Sequence, residues 1–335
     1  MSQTISVIIP TFNRPGYLIH AVLSVLRQTQ PVYEIIIIDD GSLLKHRPRI
    51  AALNELDDRI RIFHFSDNRG VSAARNYGFD KSTGEYILFL DDDDLLRPGM
   101  LESTLGILKK FLDIDVVSAG YDMFYDSTPP DIAWGSNQNL SIFPQDILFS
   151  WNYGDSSVLE EYPFSALLNK GLRISFCLAR RKSIGAARFP EDLIRGEDQF
   201  FLLSLAAAGC RFKINQQQLA FYRIHPHNSL SVCGWQQESV NYKLKLLHHK
   251  GLAVVPIDRL IVHFKLACQL LRFNLQQSYK HILIAVKILL TAPIATTWPL
   301  FLKFMLDKCQ SKWRHRRVSM LFKAIGKESA HGELP

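Results

Sequence analysis

The chain has 335 residues, 47% of them hydrophobic and 21% charged, with a formal net charge of +7. That composition is enough to bury a large core and excludes a disordered chain, and the length allows one large domain or two. Cys177, Cys210, Cys233, Cys268 and Cys309 stand singly with no Cys-x-x-Cys pair, which excludes a zinc ribbon and a disulfide framework and fits a reducing compartment.

The residues Met1 to Thr4 carry neither a basic region nor an apolar signal core, so export is not expected and the active part is placed in the cytoplasm. Ile5 to Ile9 reads as a short apolar strand closed by Pro10-Thr11-Phe12-Asn13-Arg14-Pro15, and Tyr17 to Leu26 has apolar residues at helical spacing. Glu34 to Ile38 is a second buried strand, ending in Asp39-Asp40-Gly41-Ser42, an acidic pair followed by turn residues. Arg59 to Phe65 alternates basic and apolar residues as an edge strand does. Asp67-Asn68-Arg69-Gly70 then opens a helix whose small residues Ser72, Ala73, Ala74 and Gly78 allow close packing on a sheet.

Gly84 to Asp94 follows. Tyr86 to Leu90 is apolar without alternation, the pattern of a strand buried on both faces, and it stops at four carboxylates, Asp91 to Asp94, before Leu95-Leu96-Arg97-Pro98 turns into a helix. In open α/β sheets ligands bind at the carboxyl ends of strands. Adjacent carboxylates repel one another, and a hard divalent cation, Mn2+ or Mg2+, takes oxygen ligands together with substrate phosphates. The same acids would also serve as a solvated turn capping the helix near Pro98.

Repeated strand and helix alternation predicts an α/β, Rossmann-like doubly wound mixed sheet. No Gly-x-Gly-x-x-Gly follows the first strand and no Gly-Lys-Ser/Thr loop occurs, so dinucleotide and triphosphate fingerprints are absent. The loops offer carboxylates, amides and arginines instead. Asp39 or Asp40 can accept from a base imide or ribose hydroxyl, and Asn68 and Arg69 can reach base or phosphate. That set suits a nucleoside diphosphate carrying a leaving group.

Pro10-Thr11-Phe12-Asn13-Arg14, Asp39-Asp40-Gly41-Ser42, Asn68-Arg69-Gly70 with Ala74-Arg75-Asn76-x-Gly78, and Gly84-Glu85-Tyr86 leading to Asp91-Asp92-Asp93-Asp94 resemble the family-2 glycosyltransferases. The resemblance is densest from Ile5 to about Gly120 and thinner to about Ser231. It implies a GT-A fold, a nucleotide-sugar donor with uridine as the expected base, inversion at the anomeric carbon, and a divalent metal under the diphosphate. By that likeness Pro10, Thr11, Asn13, Asp40, Asn68, Arg69, Asp91 and Asp92 belong to the donor side, with Thr11 and Asp40 at base and ribose, Asp91 near the ribose and Asp93 on the metal. The ligand assignment among Asp91, Asp92 and Asp93 stays open by one position.

From Tyr121 to Tyr162 the chain reads as irregular, with Pro129-Pro130, Trp134, Asn137, Asn139, Trp151, Asn152 and Tyr153. Aromatic rings beside amides stack on sugars, so this is expected to be an acceptor-side segment; surface loops with partly buried aromatics explain it equally. Ile174 to Arg180 is strand-like. Gly196-Glu197-Asp198 starts an apolar helix from Phe200 to Ala208, at a positive helix end that favours charged carboxylates. The family resemblance makes Asp198 the catalytic base and Glu197 its acceptor-side neighbour. Phe221-Tyr222-Arg223-Ile224-His225 resembles a family segment near the donor phosphates, which puts Arg223 and His225 in the phosphate and metal vicinity. Gln216-Gln217-Gln218 is not followed by Arg-Trp, so the Gln-x-x-Arg-Trp motif of processive relatives is absent there and transfer of one residue per encounter is expected over polymer extrusion.

Beyond Trp235 the chain becomes helical and basic. The uncharged run between Lys287 and Lys303 contains Pro293 and Pro299 and is shorter than the roughly twenty residues that span a bilayer. Lys308, Lys312, Arg314, Arg316, Arg317, Lys323 and Lys327 are interleaved with Trp313, Leu321 and Phe322, a mixture that suits an in-plane helix on an anionic membrane or a solvated basic face. The expected organisation is a nucleotide-sugar half at 1–120, an acceptor and base half at 121–234, and a basic amphipathic segment at 235–335. The expected function is inverting, metal-dependent transfer of a sugar to a glycan or lipid-linked glycan, as in cell-surface polysaccharide or lipopolysaccharide synthesis, on the inner face of the cytoplasmic membrane and with no nucleic-acid partner. A receiver-like phosphoryl-transfer domain or a non-catalytic nucleotide-sugar scaffold are the alternatives, and the former leaves Gly196-Glu197-Asp198 unexplained.

Overall fold

The computed structural model describes residues 3–126, 142–151, 153, 157–161, 163–225, 243–245, 247, 256–270 and 275–291. Strand β1 (Ile5–Thr11) leads to helix α1 (Pro15–Leu26), β2 (Glu34–Asp39), the short α2 (Arg47–Ala51), β3 (Ile60–His64), α3 (Val71–Lys81) and β4 (Tyr86–Phe89). A two-residue β5 (Leu95–Leu96), α4 (Met100–Lys110), β6 (Val116–Tyr125), β7 (Phe149–Trp151), α5 (Ser157–Glu161) and α6 (Pro163–Lys170) follow. A 3-10 turn (Ile174–Phe176), β8 (Cys177–Arg180), α7 (Arg181–Ile184), α8 (Glu197–Ala207) and β9 (Phe212–Ile224) complete the first unit.

Among the described residues nine strands form one sheet, ordered β3-β2-β1-β4-β8-β6-β9-β5, with β7 paired to β6. The first four neighbours are parallel, so Thr11, Asp39, His64 and the acid run after Phe89 all emerge at one edge. β8 is antiparallel to both β4 and β6, which makes the sheet mixed. Every residue of β1, β2 and β4 is buried, the reason these segments lack alternation. β3 lies at the sheet edge and is only partly covered, matching its alternating sequence. Helix α3 lies directly on β1: a Cβ at Gly78 would come within 2.4 Å of Ile8 Cγ2.

Two segments depart from expectation. The run from Ile174 begins as a 3-10 turn and becomes strand only at Cys177. The stretch expected to be irregular from Tyr121 opens as strand: β6 continues through Tyr125 because it pairs in parallel with β9 through Ile224. Trp151 and Tyr153 are buried rather than presented to a sugar, Trp151 stacking on Tyr121 with ring centroids 6.1 Å apart. Pro129, Pro130, Trp134, Asn137, Asn139 and Asn152 lie outside the described residues.

The described residues 168–170, 256–270 and 275–291 belong to a second compact unit. In it α9 (Pro256–Leu270) and α10 (Leu275–Thr291) pack on each other, Ser278 Oγ donating to the Ala267 carbonyl at 2.9 Å. No described helix is long and apolar enough to cross a membrane. Trp313 and the basic cluster from Lys308 to Lys327 lie outside the described residues.

Candidate active site

β4 ends at the carboxyl edge of the sheet and delivers the four acids in a tight turn. Asp91, Asp93 and Asp94 each place a carboxylate oxygen within 4.8 Å of the other two. Asp92 is not part of that group. Its side chain is fully buried, accepting from Thr11 Oγ1 at 2.6 Å and pairing with Arg14 at 2.6 Å. The clustered acids are thus Asp91, Asp93 and Asp94, while Asp92 is engaged by Thr11 and Arg14. Asp94, last in the acidic run, is the member that motif reasoning missed.

Arg14 is the second omission. It pairs with Asp92 and also donates to Asp93 Oδ2 at 2.8 Å, the oxygen that His225 Nε2 approaches at 3.0 Å. Burial alone would raise the Asp93 carboxyl, yet Arg14 and His225 hold it well below the usual carboxylate range. Burial pushes Asp92 up to about 7 despite Arg14, and raises Asp94 well above its ordinary value with Asp93 adding repulsion. Asp94 Oδ2 is buried with no hydrogen-bond partner among the described residues. Three convergent carboxylates, one with an unused buried oxygen, are a donor set that fits a hard divalent cation.

Arg223 and His225 come from the end of β9. The Arg223 side chain is 1% exposed and engaged within the protein: Nη1 pairs with Asp126, and Nε donates to the Asp93 carbonyl at 2.8 Å. It supports the acid turn through that carbonyl, which puts it in the vicinity of the clustered acids. The guanidinium lies between the rings of Tyr17 and Phe124.

The donor-side loops are tied to each other. Both Asp40 oxygens accept backbone amides, from Arg69 at 2.7 Å and Gly70 at 2.9 Å. Asp39 accepts the Ser42 amide at 3.0 Å and meets His64 Nδ1 at 2.8 Å. Burial raises the Asp40 carboxyl while those two amides oppose the rise. Gly41 is required where the loops touch: its φ is +76°, and a Cβ there would stand 2.4 Å from the Asp67 carbonyl carbon. Asn13, itself at φ 59°, receives the β2 loop, its amide donating to Ser42 Oγ at 2.8 Å and its Oδ1 accepting the Leu43 amide at 2.8 Å. Pro10 is buried within β1 opposite Ile38. Asn68 and Arg69 are exposed at the rim, with Arg69 4.8 Å above the Phe65 ring.

Arg75 joins the acid turn to the start of α8. From α3 it donates to Asp91 Oδ1 at 2.6 Å and to Glu197 Oε1 at 3.0 Å, with its own side chain 4% exposed. Asp198 lies beside this pair, its Oδ1 accepting the Gln199 amide at 2.7 Å. The helix-end argument favoured charged forms here, but burial outweighs it. Burial pushes Glu197 up to about 7, with Asp198 adding repulsion, and raises Asp198 as well, while Arg75 opposes both shifts. Arg75→Gln is expected to leave Asp91 and Glu197 without their shared cation. Breaking a buried pair costs about 3–5 kcal/mol, and protonation of Glu197 should hold the loss near the lower end at neutral pH. Urea unfolding checks this, and a loss within experimental error would remove Arg75 from that role.

The profile of Glycosyl transferase family 2 matches residues 6–156. An uncharacterized glycosyltransferase of Haemophilus influenzae is 40% identical over 222 residues, covering 66% of this chain and 79% of that protein. Glycosyltransferase GlyG of Streptococcus pneumoniae is 35% identical over 127 residues, which are 38% of this chain and 42% of GlyG. The chain thus spans less than half the length of the second of these relatives. Among solved structures, the mannosyltransferase PcManGT of Pyrobaculum calidifontis, in complex with GDP-Man and Mn2+, aligns with a TM-score of 0.58 at 15% identity, covering 100% of this chain and 89% of that one. At that identity the likeness is one of fold.

Proposed function

Because the chain belongs to glycosyltransferase family 2 and has a GT-A fold, we propose that it transfers one sugar, with inversion, from a nucleoside diphosphate donor to a hydroxyl of a glycan or lipid-linked glycan. The observation that carries this reading is the Arg75 bridge, 2.6 Å to Asp91 and 3.0 Å to Glu197. It brings the acid turn and Gly196-Glu197-Asp198 into one site, although they are far apart in the chain. A donor half without the base would bind a nucleotide sugar and do nothing further.

Asp91, Asp93 and Asp94 would hold the divalent cation, Mg2+ or Mn2+, and Pro10, Thr11, Asn13, Asp40, Asn68 and Arg69 form the walls of the donor side. When bound, the cation supplies positive charge to the departing diphosphate. Asp198 takes the proton of the attacking hydroxyl, and Glu197 orients the acceptor beside it. A carboxylate raised by burial is a stronger proton acceptor than one in water, which suits a base. Arg75 opposes the rise and so favours the ionised form.

The acceptor is proposed to be at an anionic membrane surface, as in cell-surface polysaccharide or lipopolysaccharide synthesis on the cytoplasmic side. The donor half at 1–120, the acceptor and base half at 121–234 and the basic segment from 235 divide these tasks. A chain ending at Thr291 is expected to bind anionic vesicles at least about tenfold more weakly at low salt, since each Lys or Arg near such a surface contributes on the order of 1 kcal/mol. Equal sedimentation of the two chains with the vesicles would remove the membrane from this reading. The donor is tested by a thermal-shift screen of nucleotide sugars with Mn2+ or Mg2+, because ligand bound to the folded state raises apparent stability. No shift with any uridine or guanosine diphosphate sugar would overturn the donor reading.

A further inference from the structure

Between α6 and β8 lies an arginine that no acidic partner claims. Residues 171–173 lead into the 3-10 turn Ile174–Phe176, and this stretch is tied to both halves of the site. The Asp91 amide donates to Ser175 Oγ at 3.4 Å, and the Gln199 side chain of α8 donates to the Leu172 carbonyl at 2.7 Å. Arg173 therefore stands between the acid turn and the start of α8, and both Asp94 and Asp198 feel its charge. Its guanidinium carbon lies 3.4 Å from the Tyr222 ring centroid and 5.6 Å from that of Tyr121.

The other arginines of the site are spoken for. Arg14 spans Asp92 and Asp93, Arg75 spans Asp91 and Glu197, and Arg223 holds Asp126. Among the described residues no carboxylate lies within ion-pair distance of Arg173, and its Nε has no hydrogen-bond partner. The residue is nevertheless partly open to solvent. Tyrosine rings attract and orient a guanidinium but accept few of its five N–H donors. A planar fork held in one orientation is matched to phosphate or carboxylate oxygens, and removing a cation from water without such a partner is costly.

We propose that Arg173 binds an anionic group of the substrate, through phosphate or carboxylate oxygens, at the point where donor and acceptor meet. This rests on the donor and acceptor reading given above. Two sources carry that chemistry: the donor diphosphate, or an acidic group on the acceptor next to the attacked hydroxyl. In either case the guanidinium acts by direct contact with substrate. Tyr222 and Tyr121 act as positioning residues that hold its plane.

The test compares full-length wild type with Arg173→Gln and Arg173→Lys, after circular dichroism and thermal melting show that the variants are folded. One arm measures calorimetric affinity for UDP and GDP with Mn2+, against uridine and guanosine. The other measures, in nucleotide-loaded protein, binding of glucuronate and glycerol 3-phosphate against glucose and glycerol. A charge-assisted hydrogen bond corresponds to roughly tenfold or more in affinity, so Arg173→Gln is expected to lose at least that for the charged ligands of one arm and nothing for their neutral counterparts. Loss in the first arm assigns the diphosphate, and loss in the second assigns the acceptor. Arg173→Lys should recover part of the loss, because the charge remains without the fork. Affinities matching wild type in both arms, or equal losses for charged and neutral ligands, overturn the proposal. If wild type itself binds neither UDP nor GDP, the donor reading has failed and this inference falls with it.

Discussion

Asp198→Asn should abolish most sugar transfer while leaving the fold and donor binding in place. General-base catalysis contributes on the order of 10² to 10⁴ in rate, and transfer is expected to fall by at least the lower figure. Stability should be unchanged or slightly higher, and the sign follows from the direction of the pKa shift. Burial raises the folded-state carboxyl above its ordinary value, against the opposing pull of Arg75. The ionised group then opposes folding, a cost that appears as pH rises above the ordinary carboxyl range and that Asn removes. The same direction fixes the rate profile. In wild type, kcat/KM should rise with pH through an acid limb displaced upward from the ordinary aspartate value, and that limb should vanish with Asp198→Asn. Asp192 is the control, since its side chain is 71% exposed and pairs with Lys245 away from the acids. Near-normal transfer by the Asp198→Asn protein with a proven acceptor would remove the base from the mechanism. A larger loss for Glu197→Gln would give the role to its neighbour.

Asp93→Asn is expected to eliminate the metal-dependent part of donor binding. Outer-shell changes alone commonly reduce metal affinity about 10- to 100-fold, so loss of a ligating oxygen should cost at least that. Asp93 shares its Oδ2 with Arg14 and His225, and all three are held by surrounding structure, so the fold should survive. Asp92→Asn makes the comparison sharp. Burial raises its carboxyl, and it lies outside the clustered oxygens, accepting from Thr11 and sharing Arg14 with Asp93. Calorimetry with Mn2+ and a nucleotide sugar should show a large loss for Asp93→Asn and a much smaller one for Asp92→Asn. Equal losses would mean that the cation is held by a different set of oxygens.

The amino-acid sequence by itself determined the sheet strands that are buried on both faces. Uninterrupted runs such as Ile35 to Ile38 and Tyr86 to Leu90 have no polar face to turn outward, and they ended where turn residues and acids began. It also determined which loops share an edge, because parallel strands place all their carboxyl ends together. What only the tertiary structure decided was which charges meet. Four successive aspartates carry identical local signals, and the grouping of Asp91, Asp93 and Asp94 without Asp92, which accepts from Thr11 and pairs with Arg14, came only with the tertiary structure. Arg75 looked like an ordinary member of a helix motif until the sheet order put Asp91 on one side of it and Glu197 on the other. Arg223 carried the signal of a place near the phosphates, and only the structure showed its packing against Tyr17, Phe124 and Asp126. Periodicity and turn chemistry act over a few residues and so are written in the chain, whereas the field at a buried carboxylate is set by groups that strand order brings from distant segments.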